Sequence, residues 1–132
     1  MRRKGNGFSF PCVTREEPMA DAESDLLRSS LDLLILKALA WGPKHGYAIS
    51  EWIEEASETI LLIEEGTLYP ALHRLERNGW IAAEWGVSDA NRRAKFYRLT
   101  ATGRKRYRDE SQVWHRHARA IAATLNTAAE PT

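Results

Sequence analysis

Basic side chains are concentrated in one segment of this chain. From Ala90 to Arg108 there is no acidic residue and there are eight basic ones. Clustered cationic side chains next to a helix of groove size are the footprint of a protein that binds duplex DNA, whose backbone is a dense row of phosphates. The basic residues of this segment are Arg92, Arg93, Lys95, Arg98, Arg104, Lys105, Arg106 and Arg108.

The residues before the basic segment have the pattern of an amphipathic helix, predicted over Glu65–Asn78. Three leucines at helical spacing would face a core, and the opposite face would offer polar groups to base edges. Pro70 costs little there if it lies within the first turn. An aromatic packed against the hairpin is the alternative for Tyr69, and a solvated charge is the alternative for Arg77. The predicted reading residues are Thr67, Tyr69, Pro70, His73 and Arg74.

A β-hairpin is predicted after this helix. Trp80–Ser88 alternates apolar and polar residues as a half-buried strand does, Asp89–Arg93 is a polar loop of hairpin length, and Ala94–Leu99 returns as the second strand. Helix followed by basic hairpin predicts a winged helix-turn-helix, a mainly α fold with a small β-hairpin wing. The wing residues Asn91, Arg92, Arg93 and Lys95 suit phosphate contact or insertion into a minor groove, although an ordinary charged turn is the alternative.

A further helix is predicted over Gly46–Ala56, after the break at Trp41-Gly42-Pro43. Lys44, His45 and Tyr47 stand at its start, where free amide groups favour an anionic phosphate. The apolar run Leu61-Leu62-Ile63 is either a short strand that pairs with the hairpin or a buried loop.

The first and last helices predict a homodimer. The first is expected from Leu26 or Ser30 to Ala40, capped by Ser29 or Ser30. Its sequence LDLLILKALA is apolar on nearly every side, so a partner chain should cover one side, at Leu31, Leu34 and Ile35. The last helix is expected over Ala101–Thr127 with Thr100 as its cap. It carries a heptad seam of Tyr107, Ser111, Trp114, Ala118, Ile121 and Leu125.

The whole chain has 132 residues and a formal net charge of only +1, so nucleic-acid binding must depend on segregated charge. One cysteine, Cys12, excludes an internal disulfide, and no secretory signal or membrane-spanning run is present, which favours the cytoplasm. The expected organisation is a disordered tail over 1–25, a DNA-binding domain over 26–100, a dimerisation helix over 101–127 and a tail over 128–132. Met19 is an alternative native start.

An enzyme is not predicted. His115 and His117 stand two residues apart and so point in different directions on a helix, and no common catalytic or phosphate-binding motif is present. We therefore expect no catalytic residue, no metal site and no cofactor. A winged-helix module that binds protein rather than DNA remains an alternative. Trp114 is interpreted as a core or interface anchor, with an aromatic effector pocket as its second interpretation.

Four pieces of the chain closely resemble the PadR-like transcriptional regulators, in the short form that ends in a single helix. They are LDLLILKAL, GPKHGYAI, EEGTLYPALHRLERNGWI and NRRAKFYRLTATGRK, within roughly Leu31–Arg119. The resemblance implies a cytoplasmic bacterial homodimer, usually a repressor, that joins its first and last helices and places two third helices in a palindromic operator. It also implies that Thr67–Arg74 read bases, that Arg92–Lys95 form the wing and that Tyr47 lies near the DNA backbone. Some members release DNA on binding phenolic acids or planar drugs, for which Trp114 is the candidate here.

Overall fold

The computed structural model of the chain describes residues 18–130. Within that range the fold is mainly α with a small β wing, as predicted from the sequence. No helix in the described part is both long and apolar enough to cross a membrane. The elements, in chain order, are α1 (Pro18–Leu39), β1 (Lys44–His45), α2 (Gly46–Ala56), α3 (Glu65–Arg77), β2 (Ile81–Val87), β3 (Arg93–Leu99) and α4 (Ala101–Leu125).

One apolar core joins α1, α2, α3 and the base of the hairpin. Its fully buried members include Ile35 and Leu36 of α1, Ile49 of α2, and Leu72 and Leu75 of α3. Because α3 buries a single stripe, its opposite face stays in solvent. The core therefore determines which face of α3 is available to a partner.

The sheet is antiparallel and has the order β1-β3-β2. β2 and β3 form its long pair, in which Ile81 lies opposite Leu99 at one end and Val87 lies opposite Arg93 at the other. β1 pairs with β3 through Lys44 and His45, a strand that the sequence analysis missed because two residues are too short to show alternation. Leu61–Ile63 forms the predicted alternative of a loop, with Leu61 and Ile63 packed against the core and Leu62 exposed.

The first helix begins at Pro18, well before the predicted start at Leu26 or Ser30. The predicted serine caps were therefore wrong, and the hydroxyl of Ser30 lies inside the helix, where it donates to the carbonyl of Leu27 at 3.5 Å. The end of the expected N-terminal tail, from Pro18 onward, is helical. Residues 1–17, with Cys12, and residues 131–132 lie outside the described part of the chain.

The start of α4 is anchored on the base of the hairpin. Thr100 caps the helix as predicted: its hydroxyl accepts from the amide of Gly103 at 2.9 Å and donates to the carbonyl of Gly79 at 2.7 Å. The amide of Thr100 also donates to the carbonyl of Trp80 at 3.1 Å. Gly103 is buried against the backbone of Trp80 so closely that a Cβ at this position would overlap its carbonyl group.

We expect Gly103→Ala to destabilise the fold, although alanine is the better helix former. The new methyl group would meet backbone atoms that cannot move aside, and overpacking of this kind costs about 3 kcal/mol of unfolding free energy. Urea unfolding followed by circular dichroism measures the loss. Gly66→Ala is the matched control, because nothing lies within 4 Å of its Cβ position; that variant should keep its stability or gain up to about 1 kcal/mol. Equal effects of the two substitutions would contradict this account of α4.

Candidate nucleic-acid interface

The outward face of α3 centres on a stripe of four of its seven exposed residues. Gly66, Pro70, His73 and Arg77 follow one another at helical spacing on the side opposite the buried leucines. This face has no ion pair among the described contacts of the chain, and it carries an imidazole and a guanidinium. Donors of these two kinds bond to base edges and phosphates of duplex DNA.

Two predicted reading residues lie on the flanks of this stripe and are engaged by the fold. Arg74 forms a two-contact ion pair with Asp32 of α1, which ties α3 to the first helix. The hydroxyl of Tyr69 lies over Gly46 at the start of α2, only 2.5 Å from where a Cβ would stand. Tyr69 is therefore partly packed, at 37% exposure, and it is also close enough to Tyr97 of the hairpin to raise the pKa of that residue. Arg77 replaces Arg74 on the outward stripe. Thr67 is partly buried.

Pro70 lies in the second turn of α3, so the condition under which it would cost little, a position in the first turn, is not met. At this position proline removes a hydrogen bond that the carbonyl of Gly66 would otherwise accept within the helix. Pro70 is exposed, and Gly66 has no neighbour within 4 Å of its Cβ position. The backbone of the outward stripe is therefore open on this turn.

The start of α2 is less free to bind phosphate than predicted. Lys44 lies in β1, where its ammonium donates to the carbonyl of Ala38 at 2.9 Å and burial lowers its pKa. The imidazole Nδ1 of His45 caps α2 by accepting from the amide of Ala48 at 3.3 Å. Only Tyr47 is well exposed, and the carboxylate of Glu51 raises the pKa of its hydroxyl.

The wing tip is a tight loop closed by Ser88. Its amide donates to the carbonyl of Arg92 at 2.8 Å, and its carbonyl accepts from the amide of Asn91 at 2.8 Å. Asn91 takes a left-handed conformation, with φ of 60°, that asparagine tolerates better than most residues. Asn91, Arg92 and Arg93 are exposed at the tip, as the sequence predicts.

The cations farther down the wing are not equivalent. The ammonium of Lys95 lies 3.6 Å from a carboxylate oxygen of Glu76, and so is turned toward α3 while the side chain stays 34% exposed. The guanidinium of Arg93 lies 4.6 Å from the ring centroid of Trp85, whose side chain is 59% exposed. Tyr97, next along the same face, is buried, and burial raises its pKa.

The predicted dimerisation residues fall into two groups. Leu31 and Ile35 are buried within the chain's own core, with 2% and 0% exposure, so they offer no surface to a partner and that prediction is corrected. Leu34 is partly covered by the same core. Tyr107 and Ala118 are partly buried. The other residues of α4 that were predicted for dimerisation, Trp114, Ile121 and Leu125, are exposed.

A cleft of about 590 Å³ lies between α1 and α4 and is lined by residues of both helices. Trp114 and Val113 form its apolar wall, and Asp32 lies on the α1 side. Among the described residues no three histidine, cysteine or acidic side chains converge to hold a metal ion.

Comparison with known proteins identifies the family. The sequence model of the transcriptional regulator PadR-like family matches residues 35–109, which is more than half of the chain. The chain belongs to the PadR-like family of transcriptional regulators. The matched range runs from the core of α1 to the first turns of α4, and includes α3 and the whole wing.

Individual relatives agree with this assignment. The chain is 34% identical over 95 residues to a transcriptional regulator of Mycobacterium tuberculosis. The aligned region covers 71% of this chain and 84% of that protein. The solved structure of a transcriptional regulator from Clostridium thermocellum is 34% identical, with a TM-score of 0.68, and covers 75% of this chain and 96% of that one. A PadR family transcriptional regulator from Eggerthella lenta reaches a TM-score of 0.72 at 29% identity, over 85% of this chain and 96% of that one.

Proposed function

We propose that this PadR-family regulator binds duplex DNA as a homodimer and represses transcription from a palindromic operator in the cytoplasm. The observation that carries the proposal is the uncovered stripe of α3 beside a wing whose tip holds Asn91, Arg92 and Arg93. A helix that presents His73 and Arg77 suits the major groove, and the arginine tip suits the adjacent phosphates or minor groove. The engaged cations Lys44, Arg74 and Lys95 hold this surface in shape.

Two kinds of variant should separate backbone contact from base reading. Arg92→Ala with Arg93→Ala should weaken binding to every duplex and reduce the slope of log affinity against log salt by about 2, because two phosphate contacts are lost. His73→Ala or Arg77→Ala should change sequence preference, by about tenfold at the affected base pair. Selection of bound fragments from genomic DNA, followed by gel shifts in a salt series, measures both effects.

Controls for these variants come from cations outside the stripe and the tip. Arg74→Ala should lower stability by up to about 1 kcal/mol, the range of a partly exposed ion pair, and weaken binding to all duplexes alike while base preference stays unchanged. Arg116→Ala, on the exposed outer face of α4, should change neither property. Binding that is absent or insensitive to salt would reject the DNA-binding function and favour the alternative of a protein-interaction module.

The exposed seam of α4 supports the homodimer. Ile121 and Leu125 are 58% and 78% exposed. They lie at the C-terminal end of the seam that begins at Tyr107 of α4. Apolar side chains in such a row are stabilised when a second copy covers them. A two-fold partner at this seam would set two α3 helices about 34 Å apart, one turn of the duplex.

We expect Ile121→Glu to dissociate the dimer, because it would bury a charge in an apolar contact. Sedimentation equilibrium at a series of concentrations measures the change, which should be at least about 100-fold in the dissociation constant. Ala123→Glu adds the same charge on the exposed opposite face of α4 and should leave the dimer intact. A dimer that survives the first substitution, or fails with the second, would place the interface elsewhere.

The cleft between α1 and α4 supports a small aromatic effector at Trp114. Two carboxylates of the cleft, Asp109 and Glu110, already pair with Lys105 and Arg106 on α4. Asp32 differs, because it holds Arg74 of the reading helix. A ligand that competes for Asp32 would loosen α3, and so would reach the DNA-binding surface through one ion pair.

A panel of phenolic acids and planar aromatic amines tests this effector site by tryptophan fluorescence and gel shift. A ligand of the cleft should quench Trp114 and weaken DNA binding by up to about fivefold, since the ion pair that it displaces contributes up to about 1 kcal/mol. Trp114→Phe should remove that quenching, and Asp32→Asn should reduce the effect on DNA. Trp41→Phe, an exposed tryptophan outside the cleft, is the control. Quenching without any change in DNA affinity would exclude coupling through Asp32.

A further inference from the structure

Two large apolar side chains lie uncovered on one face of the wing. Trp85 and Val87 are 59% and 66% exposed. The strand register places them on the same face as the buried residues Ile81 and Tyr97, because opposite and alternate residues of a hairpin share a face. The core face of the hairpin thus continues as an apolar surface beyond the point where its own chain covers it.

This apolar surface is turned toward the reading helix. Lys95 is directly opposite Trp85 in the hairpin, and its ammonium lies 3.6 Å from Glu76 of α3. The two strands place no acidic residue on this face, whereas the outer face carries Glu84 opposite Phe96. Uncovered apolar and cationic groups are therefore combined on the side of the wing that borders α3.

We propose that Trp85 and Val87 pack on the deoxyribose row of the DNA strand that runs between α3 and the wing tip, while Arg93 contacts its phosphates. This inference rests on the proposed DNA binding and deepens it. Deoxyribose presents C–H groups between successive charged phosphates, so an aliphatic and aromatic surface beside a guanidinium matches both parts of the backbone. The guanidinium of Arg93 lies 4.6 Å from the ring centroid of Trp85, which holds the arginine side chain in place. Because that side chain is already ordered, it loses less rotamer freedom when DNA binds.

The role of Trp85 is distinct from that of a phosphate contact. Loss of an apolar contact weakens binding but leaves the number of counterions released on binding unchanged. Loss of Arg93 instead lowers the dependence of affinity on salt. A tryptophan that acts only by holding Arg93 would add nothing once Arg93 is gone. The combination of Trp85→Ala with Arg93→Ala therefore separates direct contact from positioning.

The experiment uses the full chain and the tightest 30-base-pair duplex recovered from genomic selection. Trp85→Ala should weaken binding about tenfold at an unchanged salt slope, and should still weaken it in the Arg93→Ala background. Hydroxyl-radical footprinting, which reports the exposure of deoxyribose, should show sugars on the strand between α3 and the wing losing protection. Val87→Thr keeps the shape of the side chain and should cause a smaller loss of the same kind.

Trp41→Ala is the matched control, since Trp41 is 67% exposed and also has a cation, Lys37, 5.0 Å from its ring centroid. It should leave affinity and footprint unchanged, and circular dichroism should show every variant folded. An unaltered footprint in Trp85→Ala, or no further loss in the Arg93→Ala background, would overturn the proposed sugar contact while DNA binding by the wild type stood. Failure of the wild type to bind any duplex would overturn both.

Discussion

The close approach of Gly103 to the backbone of Trp80 is the constraint on which the arrangement of this molecule depends. It sets the first turn of α4 on the junction where α3 ends and β2 begins, with Thr100 bonded to Gly79 on the same spot. The direction of the long C-terminal helix is thereby tied to α3 and the wing through backbone atoms. Side chains elsewhere can repack, but a backbone contact of this kind leaves little freedom for one unit to turn on the other.

The periodic parts of the fold could be predicted because burial of one face dictates them. Leu68, Leu72 and Leu75 recur at helical spacing, and the alternation in β2 needs a half-buried sheet. Thr100 could be identified as a cap because its hydroxyl is the nearest acceptor for a free amide. The two-residue β1 and the early start of α1 were missed, since neither has a periodic pattern of its own.

The site was harder to predict than the fold, because charge in a sequence does not reveal its partner. Arg74 meets Asp32 across 42 residues of chain, and Lys95 meets Glu76 on a different element. Both cations had been expected to face DNA. Trp85 and Val87 were placed correctly on a strand face, but only their exposure in the structure, 59% and 66%, shows that the described chain leaves this face uncovered.

The ion pair between Arg74 and Asp32 also bears on how salt acts on this regulator. Its two side chains are 44% and 32% exposed, so dissolved ions screen it. Raising the salt concentration therefore loosens a link inside the protein, between α1 and α3, at the same time as it competes for any phosphate contact. Where DNA binding, as proposed, favours the paired state of Arg74 and Asp32, the slope of log affinity against log salt also includes this internal equilibrium. A number of phosphate contacts calculated from that slope then exceeds the number of phosphates that the protein touches.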